Sequence, residues 1–280
     1  MTPSKPFVYA VKSLSSKTIR VLSAYFQILL VFQTTTVAQT VPLPAAHAHN
    51  DYEHAKPLME ALSYGFTSIE ADVYLIEGEL FVSHYFPEPG SRRTLKELYL
   101  EPLRARIKEN QGQVFAGDST TLLLTIDIKS KGEATYQVLR KQLAEYASIL
   151  RFPGHPGPVS VVLSGNRPIQ TVLADQTRMV SIDGRPDDLD KGYPADFMPI
   201  MSENYGRVLR WKGEGPIPEE EMNRLQTLTR RAHAQGKRVR LWASPEREEV
   251  WKTLLEGGAD LISTDQLERL NKFLFYRFLK

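Results

Sequence analysis

The chain has 280 residues, with 35 basic and 33 acidic side chains and no cysteine. Without thiols there is no disulfide framework, no thiol nucleophile and no cysteine to carry a lipid anchor, and a chain of this length can bury a full core without such staples. The basic residues are unevenly spread: Lys5, Lys12, Lys17 and Arg20 precede the first acid, Asp51, and an apolar run from Val21 to Phe32 leads into QTTTVAQT. This is the pattern of a secretory leader. The run includes Ser23 and Gln27 and falls short of the roughly 20 residues a bilayer span needs, so retention as an anchor is the lesser alternative. A small-residue exit at Val37-Ala38 sets the expected division: a signal peptide over 1–38, a single domain over 39–280, and export to the periplasm or the exterior. Removing four basic residues and no acid turns the net charge from +2 to −2, so nothing in the balance argues for nucleic acid.

After the leader, PLPAAHAHND reads as a short strand with His47 and His49 on one face. Pro57 to Tyr64 reads as a helix ended by Gly65. Gly65 to His84 then gives a strand on which Ser68, Glu70 and Asp72 share one face while Thr67, Ile69, Ala71 and Val73 share the other. A turn at Glu77-Gly78 and a second short strand deliver His84. Thr94 to Glu109 is helical, with Pro102 kinking or splitting it. Thr121 to Lys129 is again a strand, apolar through Leu122, Leu124, Ile126 and Ile128, and polar through Thr125, Asp127 and Lys129.

The alternation continues with a helix over Glu133 to Leu150, strands over Val159 to Ser164, Met179 to Asp183 and Pro199 to Ser202, and a long helix from Pro218 to Gly236. A strand over Arg238 to Ala243, a helix over Pro245 to Glu256, a strand over Asp260 to Thr264 and a last helix complete the chain. About eight strand–helix units in about 240 residues predict an α/β fold, a (β/α)8 TIM barrel. An open doubly wound sheet is the alternative, but the Gly-rich phosphate loop expected after its first strand is missing.

In such a barrel the strand ends converge on one face, bringing Glu70, Asp72 and Asp127 together. At roughly 6 to 7 Å and an effective dielectric of about 20, each like-charged pair costs about 2 to 3 kcal/mol. Lys129 offsets one charge and leaves about two, which matches one divalent cation. All-oxygen ligands select a hard ion, Mg2+ or Ca2+. His49 and His84 reach the same rim, and two imidazoles beside such an ion suit phosphoryl chemistry, one taking a proton from the attacking oxygen and the other giving one to the leaving oxygen. The competing view is a structural ion pair between Lys129 and one acid, with the other acids facing water.

With these six residues in hand, the chain resembles the phosphatidylinositol-phospholipase-C-like phosphodiesterase superfamily, which includes glycerophosphodiester phosphodiesterases and spider sphingomyelinase D. The resemblance lies in a histidine after the first strand, an E-x-D pair on the second, a histidine soon after, and an acid followed by lysine (IDIK) on the third. Within that superfamily the likeness is strongest to the altered inheritance of mitochondria protein 6 family. The shared stretches are HAHNDY, GFTSIEADVYL, RTLKELYLEPL, VVLSGNRP, SIDGR, RLWASPE and DLISTDQL. The resemblance implies a PLC-like TIM barrel and a phosphoric diester hydrolase with catalytic His49 and His84. It further implies metal ligands Glu70, Asp72 and Asp127, and Lys129 at the substrate. Against the glycerophosphodiesterase pattern, His-Arg-Gly is replaced by His49-Asn50-Asp51, Pro-Glu-Asn-Thr is absent, and Tyr85 follows the second histidine where aspartate is common. The lost arginine removes a phosphate contact for which Asn50 is a neutral replacement.

Asp183 and Arg185, after another strand, are candidates for substrate contact, and Trp242 for a pocket wall, with plain turn and core roles as the alternatives. Asp265 followed by Glu268 reads as a capping box. Arg230, Arg231, Lys237, Arg238 and Arg240 read as a solvated helix end and strand start. Phe273, Phe275, Tyr276 and Phe278 read as docking the last helix. The expected partner is a small-molecule or lipid phosphodiester, with a monomeric chain and membrane contact left open. Two other functions compete. His47-x-His49 also marks amidohydrolase-like metal hydrolases, which need further histidines at later strand ends, whereas His155 lies in a loop and His233 on a helix. The other is a secreted binding protein on an inactive barrel.

Overall fold

The computed structural model describes residues 40–88 and 90–278. The expected leader over 1–38 lies outside the described residues. Eight parallel strands carry the domain: β1 Leu43–Ala48, β2 Phe66–Ile76, β3 Leu122–Ile128, β4 Val159–Gly165, β5 Val180–Gly184, β6 Ile200–Asn204, β7 Arg238–Trp242 and β8 Leu261–Thr264. Each pairs with the next. The cylinder closes where β8 pairs with β1, Ala46 opposite Ile262 and Ala48 opposite Thr264. This is the (β/α)8 barrel expected from the alternation.

The strand alternation sorts side chains into two environments. Ile69, Ala71 and Val73 of β2, with Leu122, Leu124, Ile126 and Ile128 of β3, are at most 1% exposed and face the helical layer. The opposite faces turn inward. A small apolar cluster of Leu123, Val162, Ile200 and Leu261 forms separately from the main core. The polar residues sit further along the same strands, toward the C-terminal ends, where active sites of this fold lie.

Most sequence-expected elements are present within a few residues. The segment around Pro102 is split: a π-helical turn over Lys96–Leu100 hands over to an α-helix over Glu101–Glu109 with the proline in its first turn, where its missing N–H costs nothing. Several short elements escape the sequence reading, among them the helix Tyr205–Val208 and the 3-10 turns Asp51–Glu53 and Ala147–Ile149, the last lying where the sequence predicts a continuous helix to Leu150. The others include a small hairpin of Leu150–Phe152 with His155–Pro156 on the flank of β4, a helix over Ile169–Ala174, and a 3-10 helix over Pro186–Lys191. All are short and lack a full period of patterning. Among the described residues no helix is long and apolar enough to cross a membrane.

Candidate active site

The polar mouth begins on β2 and β3. In register, Asp72 stands opposite Asp127 and Glu70 opposite Thr125. One oxygen from each of Glu70, Asp72 and Asp127 lies within 4.8 Å of the others. Like charges this close cost about 3 kcal/mol per pair at an effective dielectric of about 20. Lys129 Nζ relieves part of this, 3.0 Å from Asp72 Oδ2 and 3.3 Å from Asp127 Oδ1. The two carboxylates hold the Lys129 ammonium above its usual range even though burial works the other way. Burial, then the Glu70 charge, push the Asp127 carboxyl up to about 6 and raise Asp72 as well, against the pull of Lys129. Asp72 Oδ1 is buried with no hydrogen-bond partner. An all-carboxylate set with an unpartnered buried oxygen and two acids biased toward neutrality fits a hard divalent cation.

Gly165, at the end of β4, keeps this corner open. Its φ is +66°, and a Cβ there would lie 2.2 Å from Asp127 Oδ1 and 2.5 Å from the Ile128 carbonyl. Only glycine fits.

Glu70 is set apart from the two aspartates. Arg240, on β7 and only 4% exposed, directs Nη1 to Glu70 Oε2 at 2.5 Å, and His47 Nε2 lies 3.1 Å from the same oxygen. Burial alone would raise the Glu70 carboxyl, but the guanidinium and His47 hold it well below the usual carboxylate range. His47 Nε2 also lies 2.5 Å from Arg240 Nη1, and its Nδ1 lies 2.7 Å from Ser68 Oγ. Burial and then Arg240 bring the His47 pKa down to about 4, which keeps its imidazole neutral. A histidine so placed is not available as a metal ligand. The amidohydrolase alternative loses its first ligand, and His155 and His233 are bonded elsewhere, to Leu150 O and Asp260 Oδ2.

The two rim histidines are tied to acids. His49 follows β1, and the chain turns sharply after it because Asn50 adopts a left-handed conformation (φ 47°), which asparagine tolerates. His49 Nδ1 lies 2.8 Å from Asp265 Oδ1, so Nδ1 carries the proton and Nε2 is left facing Glu70 Oε1 at 3.9 Å. Burial would lower the His49 pKa, but the hydrogen bond to Asp265 and the Glu70 charge raise it above its ordinary value. His84 Nδ1 is 3.4 Å from Asp72 Oδ2. The Tyr52 hydroxyl joins the groups, 2.8 Å from Asp72 Oδ2, 2.7 Å from Asn50 Oδ1 and 3.3 Å from His84 Nδ1.

A cavity of about 450 Å³ opens over these groups, lined among others by His49, Asn50, His84, Lys129, Arg185 and Trp242. Of the sequence-expected residues, His49, His84, Glu70, Asp72, Asp127, Lys129, Asn50 and Trp242 all line it. Asp183 does not. It is 2% exposed, and its Oδ2 accepts from Ser164, Arg185 and Arg240, which makes it a buried brace beside the cavity wall. Asp265 is not the reciprocal cap expected of it: its carboxylate is turned to His49, while its N–H donates to Glu246 Oε1. Arg240 and Lys237 are buried, not solvated. Tyr52 was not anticipated, and only its place in HAHNDY, three residues past His49, pointed to it.

A family profile described as the AIM6-like phosphodiesterase domain matches residues 34–183, which include both rim histidines and all three acids. The altered inheritance of mitochondria protein 6 homolog of Arthroderma benhamiae is 30% identical over 269 residues, covering 84% of this chain and 85% of that one. The altered inheritance of mitochondria protein 6 of Eremothecium gossypii is 29% identical over 274 residues, 82% of this chain and 69% of that one. Among solved structures, a glycerophosphodiester phosphodiesterase from Parabacteroides distasonis superposes with a TM-score of 0.52 at 12% identity, covering 84% of this chain and 98% of that one. That likeness shows a shared fold.

Proposed function

Because this chain belongs to the AIM6-like phosphodiesterase family, we propose that it hydrolyses a phosphoric diester, a glycerophosphodiester or a phospholipid-like compound, by acid–base catalysis between His49 and His84. The observation that carries this reading is the cluster of Glu70, Asp72 and Asp127, with His49 and His84 each in contact with one of its members.

Glu70, Asp72 and Asp127 would hold Mg2+ or Ca2+, and the ion supplies electrostatic stabilisation for the negative charge of the phosphoryl oxygens. The remaining work falls to the chain. Lys129, partly exposed beside the acids, offers its ammonium to the same oxygens. Asn50 offers a neutral amide where an arginine is common, and Trp242 bounds the organic part of the substrate. As the new P–O bond forms, one imidazole accepts the proton of the attacking oxygen. As the old P–O bond breaks, the other returns a proton to the leaving oxygen. Asp265 serves this by fixing the His49 tautomer, leaving Nε2 for proton exchange. The attacking oxygen is that of water or of a neighbouring substrate hydroxyl, the latter giving a cyclic phosphate first.

In the same reading residues 1–38 are a cleaved signal peptide and the barrel works in the periplasm or outside the cell. N-terminal sequencing of the secreted protein tests this, a start near residue 39 being the expected result. For the activity, the test is product release from glycerophosphodiesters, lysophospholipids and phosphoinositides, with and without divalent ion, beside His49→Ala and Asp127→Asn. Losses of about 10²-fold or more are expected for both variants. Variants that match the wild type on every substrate turned over would remove the site from the chemistry.

A further inference from the structure

Resting on the metal-dependent reading above, we infer that Arg240 is a positioning residue for the metal site, clamping Glu70 by one oxygen so that the other faces the aspartates.

The guanidinium lies across the barrel and is anchored on three strands. Nη1 reaches Glu70 Oε2 on β2 at 2.5 Å, Nη2 reaches Asp183 Oδ2 on β5 at 3.4 Å, and Nε reaches Ser202 Oγ on the neighbouring β6 at 3.1 Å. Arg240 and Ser202 are register partners, so the Nε contact is built into the strand pairing. Asp183 is itself fixed from the other side by Ser164 and Arg185. The clamp is therefore rigid at its far end, and its near end fixes a buried carboxylate.

The division of labour within Glu70 follows from the contacts. Oε2 is taken by Arg240 and His47, whereas Oε1 has only the His49 ring nitrogen at 3.9 Å among the described residues. His47, wedged between Ser68 and Arg240, closes the space beside Oε2. Oε1 is thus left for the acid cluster. Carboxylate ligands of metal ions are commonly oriented by hydrogen bonds of this kind, and loss of such a partner typically costs 10–100-fold in affinity. Lysine cannot reproduce the arrangement: it has one nitrogen, and the arginine fork uses three.

The test is a titration of Mg2+ and of Ca2+ into EDTA-stripped protein, followed by thermal shift, for wild type, Arg240→Lys, Ser202→Ala and Glu70→Gln. Arg240→Lys should weaken binding about 10–100-fold. Placed in the Glu70→Gln background, where the carboxylate it orients is gone, Arg240→Lys should cause no further loss, whereas a role confined to folding would act alike in both backgrounds. Ser202→Ala removes one neutral anchor, leaves the ion pairs intact and should weaken binding about threefold to fivefold; it decides the matter if Arg240→Lys does not fold. Wild-type affinity in Arg240→Lys, equal loss in both backgrounds, or wild-type affinity in Ser202→Ala where only that variant folds, would overturn the inference while leaving the metal reading intact. A wild-type protein that binds neither ion would overturn both.

Discussion

Asp72 and Asp127 face each other in register across two parallel strands, with the ammonium of Lys129 3.0 Å from one and 3.3 Å from the other. Acidic residues directly opposite one another destabilise a sheet unless a cation bridges them. Burial, and then the Glu70 charge, raise both carboxyl pKa values in spite of the lysine.

That displacement has a sign that can be measured. Asp127 titrates at about 6 in the folded, metal-free chain and near 3.8 when unfolded. Its contribution is fully present below the unfolded value and is lost as pH rises through 6, a difference of about 3 kcal/mol. In EDTA, the wild type should therefore lose about 3 kcal/mol relative to Asp127→Asn between about pH 4 and pH 7.5; the comparison between the two proteins isolates it, because His47, brought down to about 4, contributes an opposing gain in both. Chemical denaturation at the two pH values checks this. With saturating Mg2+ or Ca2+ the dependence should reverse, since the ion competes with the proton.

Asp265 raises the His49 pKa through the 2.8 Å hydrogen bond. Asp265→Asn should lower it, moving one limb of the pH–rate profile toward lower pH while the metal affinity stays close to that of the wild type. Profiles of kcat/KM for the two proteins decide it. Superimposable limbs would show that the pairing does not govern the reacting proton.

Tyr52 donates to Asp72 and touches Asn50 and His84 from a fully buried ring. Tyr52→Phe keeps the ring packing and removes the hydroxyl. A stability loss of about 1.5–3 kcal/mol is expected from the hydrogen bond to a carboxylate acceptor, with a fall in kcat from the freed His84. Urea melts and steady-state kinetics together separate the two effects.

Gly165→Ala would set a methyl group against the Asp127 carboxylate and the Ile128 carbonyl in a left-handed backbone. The conformational cost alone is about 1–2 kcal/mol. The expected outcome is a lowered melting temperature together with weakened binding of divalent ion, because the carboxylate must move. Unchanged ion binding would mean that Asp127 has more room than the geometry allows it.

The barrel was legible in the sequence because its strands repeat one pattern: grease on one face, and Glu70, Asp72 or Asp127 on the other. Arg240 obeys the same alternation, between Val239 and Leu241, but four other basic residues nearby disguised it as part of a solvated surface. Asp265 was misread because a local cap three residues away is visible in sequence, whereas a partner 216 residues away is not. Asp183 occupies the expected strand end, yet Arg185 and Arg240 cover it, and nothing in SIDGR announces the reach of Arg240 from 57 residues away. Tyr52 sits in a turn without periodicity, where only its three-dimensional neighbours reveal a role.

The most direct measurement is calorimetric titration of Mg2+ and Ca2+ into EDTA-stripped wild type and into Asp72→Asn and Asp127→Asn. The proposed metal site predicts one bound ion per chain in the wild type and a loss of about 10²-fold or more in affinity in each variant, equivalent to about 2.7 kcal/mol. No binding by the wild type, or the same affinity in all three proteins, would contradict it.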